Sequence, residues 1–127
     1  MSFSSWVRHL FPQKRRGWDT TDGKPPRAGF ENASAPAPPD PRTGEHEAYW
    51  ILSQSERAKG LVRPLRFEYR HTRCGTVTGM DQKIAETFAR NPKFYGRTMC
   101  AECRKHFPLE QFTWMDGEDD TGIVVGS

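Results

Sequence analysis

The residues with the most specific chemistry are two short pairs, His71-Thr-Arg-Cys74 and Cys100-Ala-Glu-Cys103, which together use all three cysteines of the chain. Two intervening residues let one tight turn present both side chains to a single ion, the arrangement of Cys₃His structural zinc sites. Three thiolates and an imidazole suit zinc, a borderline-soft ion without directional d-electron demands. The expected cofactor is therefore one structural Zn²⁺ held by His71, Cys74, Cys100 and Cys103. Four protein ligands would leave no open position for a catalytic water. Three thiolates and a dication carry a net negative charge, and Arg73, Arg104 and Lys105 stand next to the ligands to offset it. His106 is a rival for the imidazole position, because Cys100, Cys103 and His106 are also separated by two residues each. The matched His-x-x-Cys and Cys-x-x-Cys pairs favour His71. The bland alternative is a set of buried thiols and an ordinary histidine with no metal.

The elements that must position these ligands lie in the second half of the chain. Leu65, Phe67 and Tyr69 alternate with Arg66, Glu68 and Arg70, the period-2 pattern of a half-buried strand that runs into His71. Thr78-Gly-Met-Asp81 offers a helix start, with Ile84, Ala85 and Phe88 on one face and Asn91-Pro92 as its stop. Upstream, the apolar Tyr49-Trp-Ile-Leu52 precedes Ser53-Gln-Ser-Glu56, which has the spacing of a capping box and opens a brief helix ending at Gly60. Beyond Cys103, Gln111 to Trp114 and Ile123 to Val125 read as two strands joined by an acidic loop, a hairpin placed to shield one side of the site. The expected fold is a small α+β zinc-stabilised module, zinc-ribbon or treble-clef-like, with two knuckles, one intervening helix and a C-terminal β-hairpin.

Composition limits what surrounds that module. The chain has 127 residues, 35% of them hydrophobic, with ten prolines and a mean hydropathy of −0.83. Such a chain cannot build a large apolar core over its whole length, and a metal is the natural supplement. Three domains are expected: 1–17 a short amphipathic basic helix, 18–47 a Pro-rich flexible linker, and 48–127 the zinc-binding module. In the first, Phe3, Trp6, Val7, Leu10 and Phe11 fall on one helical face and Lys14, Arg15 and Arg16 follow, which suits a partner's groove or an anionic surface. The same stripe could equally pack on the protein's own core. In the second, Ala35-Pro-Ala-Pro-Pro-Asp-Pro41 has no apolar periodicity. An odd cysteine count and the lack of a leader-like start argue against secretion, so the expected setting is cytoplasmic. No apolar run is long enough for stable membrane insertion.

Charge is unevenly spread. Between Glu56 and His106 there are twelve Lys or Arg against five Asp or Glu, while the stretch from Phe107 onward has five acids and no Lys or Arg. Arg63, Arg66, Arg70, Arg73, Lys93, Arg97, Arg104 and Lys105 are the candidate contacts for DNA or RNA phosphates, with Phe94 and Tyr95 as stacking partners. The alternative is a solvated surface plus compensation of the thiolates. Enzyme signatures are missing: His46 is followed directly by Glu47 and Met99 precedes Cys100, unlike the deaminase pattern, and there is no phosphate-binding glycine loop or nucleophile elbow. The expectation is a non-enzymatic zinc-binding accessory protein that binds nucleic acid through a basic face. Its alternative is a protein-interaction factor that engages a partner through residues 1–47.

The stretch Ser55-Glu-Arg-Ala-Lys-Gly60-Leu-Val-Arg-Pro64, then His71-Thr-Arg-Cys-Gly75, Ile84-Ala-Glu-Thr-Phe-Ala-Arg90, Pro92-Lys-Phe-Tyr-Gly96 and Cys100-Ala-Glu-Cys103 with His106-Phe-Pro-Leu109, resembles small uncharacterised zinc-binding proteins of phage and prophage genomes. The resemblance covers about residues 53 to 127. It implies a ribbon-like or treble-clef-like module with the same four ligands, a phage-encoded modulator or virion component as the form of the alternative, and the cytoplasm of a bacterial host as the location. It implies no activity.

Overall fold

Three antiparallel sheets carry the chain, and the computed structural model describes residues 15–127. β1 (Trp18–Thr20) pairs with β2 (Trp50–Leu52), and the four-residue α1 (Gln54–Arg57) follows under the Ser53 cap. β3 (Glu68–His71) and β4 (Val77–Gly79) form a hairpin, α2 (Gln82–Arg90) crosses to β5 (Arg97–Cys100), and β5 pairs with β6 (Lys105–Pro108). A 3₁₀ turn (Leu109–Gln111) then leads into β7 (Phe112–Asp116) and β8 (Asp119–Val124). The largest sheet has the order β4-β3-β7-β8, so β7 returns to lie beside the strand that ends in His71. No helix among the described residues is long and apolar enough to cross a membrane.

The core forms where the sheet meets α2. Tyr69, Phe88, Cys100, Leu109, Phe112, Trp114 and Val125 make one buried cluster, with Ile84, Tyr95, Cys103 and Phe107 packed on its margin. Asp81 caps α2 by accepting from the Lys83 amide, and the helix buries Ala85, Thr87, Phe88 and Ala89 on one side. Thr87 is buried and bridges two elements: its hydroxyl donates to the Lys83 carbonyl and accepts from the Leu52 amide. Arg57 and Glu86 form a half-buried ion pair at 2.5 Å on the same flank.

Several sequence-based expectations shift by a few residues. Thr78 and Gly79 lie in β4 and not in a helix start, because Thr78 pairs with Tyr69 and leaves Asp81 as the cap. The acidic stretch is mostly strand: the turn narrows to Gly117 and Glu118, while Asp119 and Asp120 belong to β8. Thr113 and Asp120 share a hydrogen bond across that hairpin.

The largest correction concerns residues 18–47, expected to be a flexible linker. In the structure Trp18–Thr20 is a strand, and Ala35, Pro36 and Ala37 are buried, Ala37 completely. The Arg27 amide donates to the Pro36 carbonyl, the Trp50 indole to the Ala33 carbonyl, and Pro39 bridges to His46. β1 and β2 also pair across residue 48, where the module was expected to begin. Sequence periodicity fails here for a physical reason. Small Ala and Pro side chains pack in an irregular path without the repeat that marks a helix or strand, and bonds such as Arg27 to Pro36 and Trp50 to Ala33 join residues beyond the reach of a single turn.

This segment ends against the second ligand pair. Asp40 organises a turn in which the Gly44 amide donates to the Asp40 carbonyl at 2.8 Å. Gly44 has φ +81°, and a Cβ there would lie 2.0 Å from the Arg104 carbonyl oxygen. Gly44→Ala is therefore expected to destabilise the protein by about 2 kcal/mol, through strain and a backbone clash together. Urea denaturation followed by circular dichroism checks this, and an unchanged midpoint would show that the turn does not press on the ligand loop.

Candidate metal centre

The same turn occurs twice. His71 ends β3, the chain turns through Thr72 and Arg73 to Cys74, and the amide of Gly75 (φ +81°) donates back to the His71 carbonyl at 2.7 Å. Cys100 ends β5, the chain turns through Ala101 and Glu102 to Cys103, and the amide of Arg104 (φ +59°) donates back to the Cys100 carbonyl at 2.8 Å. In both, a left-handed residue follows the second ligand and reverses the chain into the next strand. Arg104 is the one non-glycine residue with positive φ among the described residues.

The two turns face each other. The imidazole Nδ1 of His71 lies 3.3 Å from the Cys74 Sγ and 3.7 Å from the Cys103 Sγ, and the sulfurs of Cys74 and Cys100 are 3.5 Å apart. All four ligand atoms lie within 4.8 Å of one another. Tetrahedral bonds of about 2.3 Å to sulfur and about 2.0 Å to nitrogen imply edges of about 3.5–3.8 Å. The short contacts match those edges, and no sulfur pair is at disulfide distance among the described residues. This compact group could hold a metal ion, and its composition fits a tetrahedral one.

Electrostatics within the group argue in the same direction. The Cys74 thiol is pulled down to about 6, first by the Thr76 backbone amide and then by the Thr76 hydroxyl, Cys100 and His71. Desolvation, followed by the neighbouring Cys100 and Cys74 sulfurs, pushes Cys103 up to about 11. One thiol thus ionises readily and another resists while its neighbours share the space. A bound dication removes that conflict by stabilising every thiolate at once.

His71 is 1% exposed and held on every side. The rings of Phe112 and Phe107 lie 4.7 Å from it on centroids, Phe112 nearly parallel at 22°. Its Nε2–H donates to the Gln111 Oε1 at 2.9 Å, which fixes the tautomer and leaves the Nδ1 lone pair for a metal. Gln111 escaped sequence reasoning because nothing but the return of β7 beside β3 brings it to the imidazole, 40 residues away. The expected shielding hairpin is present, with Phe112 as its contact.

His106 belongs to a different set of contacts. Tyr49 accepts from the His46 amide and donates to the His106 Nε2 at 2.9 Å, and the His46 and His106 rings are 5.0 Å apart. The run through Cys100, Cys103 and His106 therefore does not form the ligand set.

The eight basic residues are distributed over several surroundings. Arg73, Arg104 and Lys105 sit exposed in or beside the two ligand turns, and Lys93 is exposed just after α2. Arg70 pairs with Asp120 at 3.5 Å on the outer face of the sheet, Arg63 donates to the Ser127 carbonyl, and Arg66 lies half-buried nearby. Arg97 is exposed and donates to the His106 carbonyl. Phe3, Trp6, Val7, Leu10 and Phe11 lie outside the described residues.

Two outcomes follow. Gln111→Ala should weaken metal binding about 10- to 100-fold while leaving the stoichiometry unchanged, as measured by competition with a chromogenic chelator. His106 is pushed down to about 4 by burial and by the nearby His46 and Arg97. The unfolded chain takes up that proton near pH 6.5, so this part of the stability is complete above pH 6.5 and is lost as pH falls toward 4. His106→Gln should flatten that window in denaturation midpoints, and a variant as acid-sensitive as the parent would contradict the assignment. No family model, no curated protein and no solved structure matches this chain.

Proposed function

We propose that this protein is a zinc-organised, non-enzymatic accessory protein that binds nucleic acid, the ion being structural. The observation that carries the zinc reading is the His71, Cys74, Cys100 and Cys103 group on two facing turns of the same construction. Three sulfurs and one nitrogen favour zinc over oxygen-seeking ions, and a set of four protein ligands favours a structural over a catalytic role. The module corresponds to a zinc-ribbon-like arrangement in which one hairpin supplies each ligand pair.

The nucleic-acid reading is supported by the basic side chains that flank the ligand turns. Arg73, Lys93, Arg104 and Lys105 are exposed and take part in no ion pair among the described residues, so they are available to phosphate. Arg70 is partly neutralised by Asp120 and contributes less.

A second reading, a protein-interaction factor, is favoured by one specific observation. Leu61, Val62, Leu65 and Phe67 are all exposed along one irregular segment, at 37–52% of their surface. Apolar side chains gathered in that way suit a protein partner better than a phosphate backbone.

Native mass spectrometry of the full chain at neutral pH is expected to show one zinc per chain, absent from Cys74→Ser. Fluorescence anisotropy with labelled oligonucleotides should show affinity falling more than tenfold between roughly 50 and 200 mM salt, the consequence of three or more phosphate contacts. A different metal, or none, overturns the first statement. Absent binding, or binding indifferent to salt, overturns the second and leaves the interaction factor.

A further inference from the structure

Away from the sulfurs, the segment 15–47 and the β5–β6 hairpin enclose an open cleft of about 530 Å³, within the size range of small-molecule sites. Its walls are of two kinds. Trp18, Trp50, Phe94 and Tyr95 supply aromatic surface, with Trp18 and Phe94 at 4.5 Å and Trp18 and Trp50 at 5.8 Å between ring centroids. Arg15, Arg97, His46 and His106 supply the nitrogen groups, and no carboxylate among the described residues lines the cleft. Glu45 and Asp81 line the smaller neighbouring cavity instead.

The nitrogen groups are placed rather than merely near. The Arg15 guanidinium lies 4.6 Å over the Trp18 ring and 4.9 Å over Trp50, held against both indoles. Arg97 is anchored by one nitrogen on the His106 carbonyl, which leaves the rest of its fork free. His46 is oriented by its Nδ1–H, which donates to the Ala37 carbonyl at 2.6 Å and leaves Nε2 as an acceptor for a base N–H. The Tyr49 hydroxyl is engaged with the His46 amide and the His106 ring, which locks the two histidines relative to each other.

Aromatic walls and positive groups without a carboxylate select a ligand that is flat, aromatic and anionic. We infer that this cleft is a nucleotide subsite that receives one unpaired base of a single strand against Trp18 and Phe94, with its phosphate at Arg97. A half-buried ring stacks on any base face, and the guanidinium fork matches phosphate oxygens. A base paired within a duplex has no free face to offer, so the preferred partner is single-stranded nucleic acid. This inference rests on the nucleic-acid reading above and adds to it a site, a strandedness and named contacts that the exposed basic residues alone do not specify.

The probe is an oligothymidylate of about ten nucleotides, a length within single-strand site sizes, titrated at low salt with tryptophan fluorescence as the readout. Base stacking should quench Trp18. Phe94→Leu and Arg97→Gln should each weaken binding at least about tenfold with unchanged circular dichroism, and an abasic sugar-phosphate oligomer of equal length should bind more weakly by a similar factor. Arg97 is exposed, so its variant and the abasic probe decide the matter even if Phe94→Leu fails to fold. Equal binding by the parent and the Arg97 variant, or equal binding of the abasic probe, overturns the cleft and leaves the broader reading standing. No binding of the oligonucleotide to the parent protein overturns both.

Discussion

Placing three thiols and an imidazole within 4.8 Å of one another sets up an electrostatic problem that the rest of the fold is built to contain. Thiolates repel at that distance, neutral thiols waste their ligand capacity, and burial of the surrounding rings makes either choice costly. A cation at the centre would settle it, and the protein presents the four donors in a form that needs little further adjustment. Each donor pair is set by its own hydrogen-bonded turn, His71 is clamped between Phe107 and Phe112, and Gln111 fixes its tautomer. The buried core continues directly from this group, since Cys100 and Phe112 belong to the same cluster as Tyr69, Phe88 and Trp114.

The remainder of the chain closes around that centre from the opposite direction. Residues 18–47 contribute no ligand, yet they add a strand to β2, bury the Ala35–Ala37 run, and end on the Arg104 carbonyl through Gly44. The same segment supplies Trp18 and His46 to the aromatic cleft, whose other wall comes from the β5–β6 hairpin. One hairpin therefore serves two purposes: its turn carries Cys100 and Cys103, and its strands carry Arg97 and His106.

The compact group of His71, Cys74, Cys100 and Cys103 was legible because ligand pairs for one ion carry a characteristic local spacing, and that spacing alone pairs these residues. The helix capped at Asp81 was legible for the same kind of reason, a cap confined to a few neighbouring residues; the strand into His71 was legible only at its end, because Leu65 and Phe67 of the alternating pattern lie before β3 and are exposed. Gln111 and the aromatic cleft were not. Both depend on pairing across long sequence distances, β7 beside β3 and β1 beside β2, which no local pattern encodes. The Pro-rich segment misled for a related reason: low hydrophobicity describes how weakly a segment drives collapse, and says little about whether a neighbour will bury it.

The duplicated turn has a bearing on how the molecule assembles. Each ligand pair closes a loop of only a few residues inside a single hairpin, so both two-toothed claws can form early and independently, on the microsecond scale of hairpins. Joining them requires ordering the 25 residues between Cys74 and Cys100, including α2, and that is the slow, entropically expensive event. A metal caught first by one claw would pull the second toward it and guide the helix into place, and such an ion would be a template for the folding route as well as a rivet in the finished protein.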